Sequence, residues 1–116
     1  MLRVSSQTTG TEVDVAAVNG GLGTDAGVTH GALLLAFTEA VLRGERAAAE
    51  RDALRAVLSP DAFVDVAALI GAFNVVDRIA DATGIPLDPM MRVMSAEIRD
   101  QLGLARFASS ANTPAE

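Results

Sequence analysis

The stretch from Ser59 to Gly84 constrains this chain more than any other. A serine side chain can cap a helix start, Pro60 suits the first helical position where its missing donor costs nothing, and Asp61 suits the positive end of the dipole. Gly84 offers a left-handed stop and Pro86 prevents continuation. Together these signals predict one helix over residues 60–83, about 36 Å long at 1.5 Å per residue. In its first half Phe63, Val64, Val66, Ala67, Leu69, Ile70 and Phe73 cover nearly every side. A surface helix carries a single apolar stripe, whereas one that is apolar all round is covered all round. A chain of 116 residues forms one domain with too few other helices to enclose this one, so the pattern predicts an oligomer assembled through it.

The rest of the chain reads as helices of the same kind. Leu33, Leu34, Phe37, Val41 and Leu42 recur at helical spacing over residues 29–43, and Gly44 ends that run. Residues 45–58 form a second amphipathic helix, with Ala48, Leu54, Val57 and Leu58 toward a core and Arg46, Glu50, Arg51 and Asp52 in water. Asp88-Pro89 repeats the cap-and-proline signal for a fourth helix reaching Leu102, with Gly103 as its stop. Half of the residues are hydrophobic, but only four are aromatic, all Phe, and Ala, Leu and Val dominate. Such a mixture favours close helix packing over a sheet. The expected fold is therefore all-α, a small bundle of about four helices over residues 29–107. Residues 1–28, rich in Ser, Thr and Gly, read as a flexible or extended arm, and residues 108–116 as a frayed tail.

Charge narrows the partners. The formal net charge is −6, with nine Arg, no Lys and fifteen acids. A nucleic-acid binder displaces counterions with clustered cations, and an anionic membrane attracts the same clusters; the sequence predicts neither partner. The uncharged apolar run 66–76, closed by Asp65 and Asp77, is about half of the roughly 20 residues that a membrane span needs. Residues 1–10 lack the apolar core of a signal peptide, and a cytoplasmic location is the default expectation. With no cysteine, the chain has neither a disulfide framework nor a thiol chemistry.

Few residues are placed to carry chemistry. Asn74, Asp77, Arg78 and Asp81 follow one another at three- and four-residue spacing and share a sector of the third helix. An amide, a guanidinium and carboxylates held together could orient a substrate or move a proton; their bland reading is a local ion-pair patch where the helix leaves the core. His30, the single histidine, stands at a helix start where the dipole suits a neutral base, or serves merely as a capping or surface residue. No second ligand type stands near it at metal spacing, so neither a metal nor a cofactor is expected. Gly20-Gly21-Leu22-Gly23 lacks the Lys and the Ser or Thr of a phosphate loop, and Met90, Met91 and Met94 make a soft apolar patch suited to a core or interface.

The run Phe63-Val64-Asp65-Val66-Ala67-Ala68-Leu69-Ile70-Gly71-Ala72-Phe73-Asn74-Val75-Val76-Asp77-Arg78-Ile79-Ala80-Asp81-Ala82-Thr83-Gly84-Ile85-Pro86-Leu87-Asp88 resembles the carboxymuconolactone decarboxylase and alkylhydroperoxidase D-like superfamily. Members show an apolar helix ending in Phe-Asn, a few residues, Arg, then Ala-Asp and a Gly-x-Pro-Leu exit. The likeness covers about residues 31–88, half of the chain. It implies an all-α subunit that assembles with copies of itself or with a longer family member. The Cys-x-x-Cys helix of the peroxidase branch has no counterpart here, and no catalytic residue carries over. Three functions are then expected in turn: a non-catalytic structural, regulatory or partner-binding subunit; a thiol-free acid/base enzyme of the decarboxylase or isomerase kind, using His30 and Asp77 with Arg78 and Asn74; or a module binding a small apolar ligand between Phe37, Phe73 and the Met cluster.

Overall fold

The computed structural model describes residues 8, 10, 13–19 and 25–113. Among them the fold is all-helical, with five α-helices, three short 3-10 turns and no strand. The helices are α1 (Gly31–Leu42), α2 (Ala48–Arg55), α3 (Pro60–Thr83), α4 (Pro89–Met94) and α5 (Ala96–Gln101). No helix of the described residues is long and apolar enough to cross a membrane. The chain divides near the middle of α3 into two compact units, residues 1–70 and residues 71–116.

Unit 1 holds the core. Phe37 and Ala40 of α1 meet Leu54 of α2 and the preceding Ala47, and Leu54 is fully buried. Phe63, Val66 and Ile70 of α3 pack against this group from one side. The Phe37 and Phe63 rings lie 5.6 Å apart, tilted at 48°, and the Arg55 guanidinium stands 5.9 Å from the Phe63 ring.

Local chemistry explains where these helices begin and end. Asp25, six residues ahead of α1, caps it from outside: its Oδ1 accepts from the Ala32 N–H at 3.0 Å. The intervening turn is tight, with Val28 N–H donating to the Asp25 carbonyl at 2.7 Å. A Cβ at Gly31 would overlap the Asp25 backbone, so only glycine fits there. Gly44, at φ +74°, ends α1 with Glu45 N–H donating back to the Ala40 carbonyl. At Ala47 the backbone is left-handed, so α2 starts at Ala48 rather than at Glu45. That offset buries Ala47 and exposes Ala48 and Val57, two residues that the amphipathic pattern assigns to the core. The bounds of α3 agree with the cap and stop signals, Ser59 Oγ accepting from Ala62 N–H at 3.2 Å.

Beyond Gly84 the fourth helix predicted to Leu102 is two helices. Asp88 caps α4 through Met91 N–H at 2.9 Å, but Ser95 breaks the run with φ −100° and ψ 0°. Its hydroxyl donates to the Met91 carbonyl at 2.6 Å, beside the backbone bond that the Ser95 N–H makes to the same carbonyl at 3.0 Å. Past Gly103 the chain makes 3-10 turns at Leu104–Arg106 and Ala108–Asn112. Leu87 N–H donates to Thr113 Oγ1 at 2.8 Å, so residues assigned to the tail reach back to the exit of α3. In the arm, Val15–Asn19 forms a 3-10 turn with Ala17 buried, and Asp14 N–H donates to the Ala26 carbonyl at 3.0 Å. The glycine run 20–23 and arm residues 1–7, 9, 11, 12 and 24 lie outside the described residues.

Candidate functional site

Unit 2 is where polar side chains and open space meet. The second half of α3 presents two sides of different character. One carries Asn74, Asp77, Arg78 and Asp81, at the spacing that shares a sector. Arg78 Nε donates to Asn74 Oδ1 at 2.6 Å, so the guanidinium of this group engages the amide. On the other side Ala72, Val75, Ile79 and Ala82 follow at steps of three, four and three, with Val76 beside them and Phe73 between the two sides, and all six are exposed.

An open cleft of about 640 Å³ lies within unit 2, with Ala80 and Asp81 of α3 on one wall. Arg99 and Asp100 of α5 also line it, with Leu104, Phe107 and Ser110 of the following turns. The volume is that of a small-ligand pocket. Arg99 is held in place rather than free to wander, because its Nη2 donates to the Arg92 carbonyl at 2.7 Å. Its Nε is buried without a partner. One guanidinium and two carboxylates leave the lining acidic by one charge, with hydroxyls from Ser109, Ser110 and Thr113 and apolar side chains from Ile85 and Leu87.

The residues proposed for acid/base work are only partly gathered. Asp81 lines the cleft, whereas Asn74, Asp77 and Arg78 are not among the described lining residues. His30 belongs to unit 1, in a left-handed conformation at φ 60°, and its side chain makes no capping hydrogen bond. Among the described residues no group of three His, Cys, Asp or Glu is arranged to hold a metal ion. The apolar trio expected around a ligand does not line this cleft. Phe37 is buried in the unit 1 core, Phe73 is 64 % exposed, and neither lines the cleft. Of the methionines on α4, Met90 and Met94 are exposed and Met91 is half-buried. Arg99 and Thr113 are the residues that sequence periodicity does not single out, since their placement depends on contacts outside their own helical turn.

Apolar exposure is the other marked property of this unit. No described residue of unit 2 is buried. Phe73, Val75, Val76, Ile79, Ile85, Met90, Val93 and Met94 are each more than half exposed. On α4, Met90, Val93 and Met94 fall on one face by their spacing of three and four. No protein-family model, no curated protein and no solved structure matches the chain.

Proposed function

We propose that this chain is a non-catalytic helical subunit that works by binding another protein chain through unit 2. One observation carries the reading: unit 2 buries no described side chain, yet leaves eight large apolar ones more than half exposed. A segment of this size without a core has little hydrophobic stabilisation of its own, and exposed apolar side chains in this number are ones a partner chain would cover. The likeness of residues 63–88 to the carboxymuconolactone decarboxylase and alkylhydroperoxidase D-like superfamily supports the same reading, because those subunits assemble through such helices.

Amide hydrogen exchange with the mass measured in parallel tests it. At concentrations where the chain is a monomer, amides of α1 and α2 are expected to be protected and those of residues 72–113 to exchange orders of magnitude faster. Binding of the partner chain is expected to slow the second set. A monomer whose α3 and α4 amides are all protected to the level of the Leu54 region would overturn the proposal.

The cleft favours a second reading, a module for a small molecule bearing a basic group and an apolar body. Asp81 and Asp100 would receive the cation while Ile85, Leu87 and Leu104 cover the apolar part. A non-covalent adduct in native mass spectrometry, abolished by Leu104→Trp, is its expected signature. The acid/base enzyme expected from His30 and Asp77 draws no support from the cleft, since neither lines it.

A further inference from the structure

Residues 104–113 do something that a frayed tail does not. They bond chiefly to one another: Phe107 N–H donates to the Leu104 carbonyl at 3.2 Å, Ser110 N–H to the Phe107 carbonyl at 3.0 Å, and Thr113 N–H to the Ser110 carbonyl at 3.1 Å. The Ser110 hydroxyl also stays within the segment, donating to the Ala105 carbonyl at 3.2 Å. Among the described residues a single hydrogen bond ties this segment to the chain ahead of Gly103, the one from Leu87 N–H to Thr113 Oγ1 at 2.8 Å.

Burial follows the same plan. Leu104 at the near end and Asn112 and Thr113 at the far end are half-buried, whereas residues 105–111 between them are exposed. The segment is thus held at its two ends. At the near end Gly103 is left-handed at φ +62°, with nothing within 4 Å of where a side chain would begin, so the backbone has room to turn there. At the far end Asn112 Oδ1 lies 3.6 Å from where a Cβ on Gly84 would stand, in van der Waals range of the α3 exit. Between the ends, Ser109 and Ser110 join Asn112 and Thr113 in supplying the hydroxyl and amide part of the cleft lining. The cleft is complete only with the segment down.

We infer that residues 104–113 are a strap over the cleft, hinged at Gly103 and latched by the Thr113 hydroxyl on the Leu87 N–H, whose opening admits and releases what the cleft binds. The strap takes its use from the reading of the cleft as a small-molecule site, but its motion belongs to the chain alone. The latch is set near balance. Leu87 lies in the non-helical stretch between α3 and α4, and with the strap lifted its N–H turns to water. Closing therefore gains only the net of one exchanged hydrogen bond, roughly a 2- to 13-fold shift of an equilibrium. No side chain of the strap is buried to hold it more firmly. A ligand bonded to Ser109, Ser110 or Asn112 would hold the strap down, and the closed strap in turn would slow its departure.

With no cysteine in the chain, one introduced thiol reports the opening without background. Ala80→Cys places it on a half-buried residue of α3 that lines the cleft, and Ile98→Cys, in a separate chain, on a half-buried residue of α5 that does not. Each is labelled with an aromatic disulfide, dithiobis(nitrobenzoate), after circular dichroism has shown its helix content unchanged. Thr113→Val removes the acceptor and is expected to speed labelling at Ala80→Cys by about 2- to 13-fold. Thr113→Ser keeps the hydroxyl and is expected to leave the rate close to its starting value. Gly103→Ala acts from the other end: a side chain at φ +62° is disfavoured by about 5- to 30-fold, so this variant also opens the strap and speeds labelling. An Ala80→Cys rate unmoved by both Thr113→Val and Gly103→Ala would overturn the strap. Equal acceleration at Ile98→Cys, the sign of unit 2 loosening as a whole, would overturn it too. The occupant is judged apart from the device. Acceleration at Ala80→Cys alone, with no adduct in native mass spectrometry, keeps the strap and removes the small-molecule reading, whereas an adduct with unmoved rates does the reverse.

Discussion

At the scale of single residues, the turn ahead of α1 carries the most demanding contact. Gly31 sits where any side chain would press on the Asp25 backbone, and Asp25 is tied in place as the cap of the same helix. Gly31→Ala is expected to destabilise unit 1 by about 1–3 kcal/mol, the usual cost of forcing extra atoms into an occupied space. It would be read as a lower urea midpoint with an unchanged slope. Two alanines nearby allow a contrast. Ala26 and Ala47 are both left-handed, at φ 51° and 49°, a conformation that costs a side chain about 1–2 kcal/mol. Glycine would remove that cost but add about 0.4–1 kcal/mol of unfolded-chain entropy. At Ala47, which is buried, it would also give up about 0.8 kcal/mol of methyl burial. Ala26→Gly is therefore expected to raise stability by up to about 1 kcal/mol and Ala47→Gly to leave it near its starting value, as thermal melts of the pair would show.

At the scale of elements, the break between α4 and α5 falls at Ser95, whose hydroxyl bonds the Met91 carbonyl. Ser95→Ala removes the bond to the Met91 carbonyl and supplies a better helix former. The expected outcome is a continuous helix through this position, seen as a gain in far-ultraviolet helical signal and as slower amide exchange around residue 95. The same position shows why some bounds are legible in the sequence and others are not. Ser59-Pro60 and Asp88-Pro89 act within one turn of chain, so the starts of α3 and α4 can be read from composition and order alone. Ser95 looks like any polar residue in an amphipathic run, and the Arg99 side chain takes the Arg92 carbonyl across a span of seven residues that no local pattern announces. Ala47 is harder still: nothing about an alanine announces a left-handed backbone. The candidate site divides in the same way. The shared sector of Asn74 and Arg78 follows from helical spacing and appears as a hydrogen bond. The cleft does not follow, because Asp81 and Arg99 come together through chain reversals that no local period encodes.

At the scale of the whole molecule, the two units differ in what holds them. Unit 1 has a core centred on Leu54, and unit 2 has none among its described residues. Substitutions at the exposed apolar residues of unit 2 should thus act on the binding of a partner chain and spare the folding of unit 1. Ile79→Glu is expected to give a monomer by sedimentation at concentrations where the unsubstituted chain associates. It is also expected to leave amide protection in α1 and α2 unchanged. The reverse holds for Leu54→Ala, which takes atoms from the only fully buried large side chain among the described residues and is expected to cost about 2–5 kcal/mol. That loss is a large share of the total stability of an ordinary domain, roughly 5–15 kcal/mol.

The corner at Ser95 has one more consequence. Arg99 of α5 reaches over it to the Arg92 carbonyl of α4, a span of seven residues. Such a brace turns a bend into a fixed joint. If it were cut, the two arms would not swing as rigid rods, because six residues are too few for a helix to persist unsupported. The joint would yield by unwinding, and any freedom gained there would come at the expense of the helices on either side.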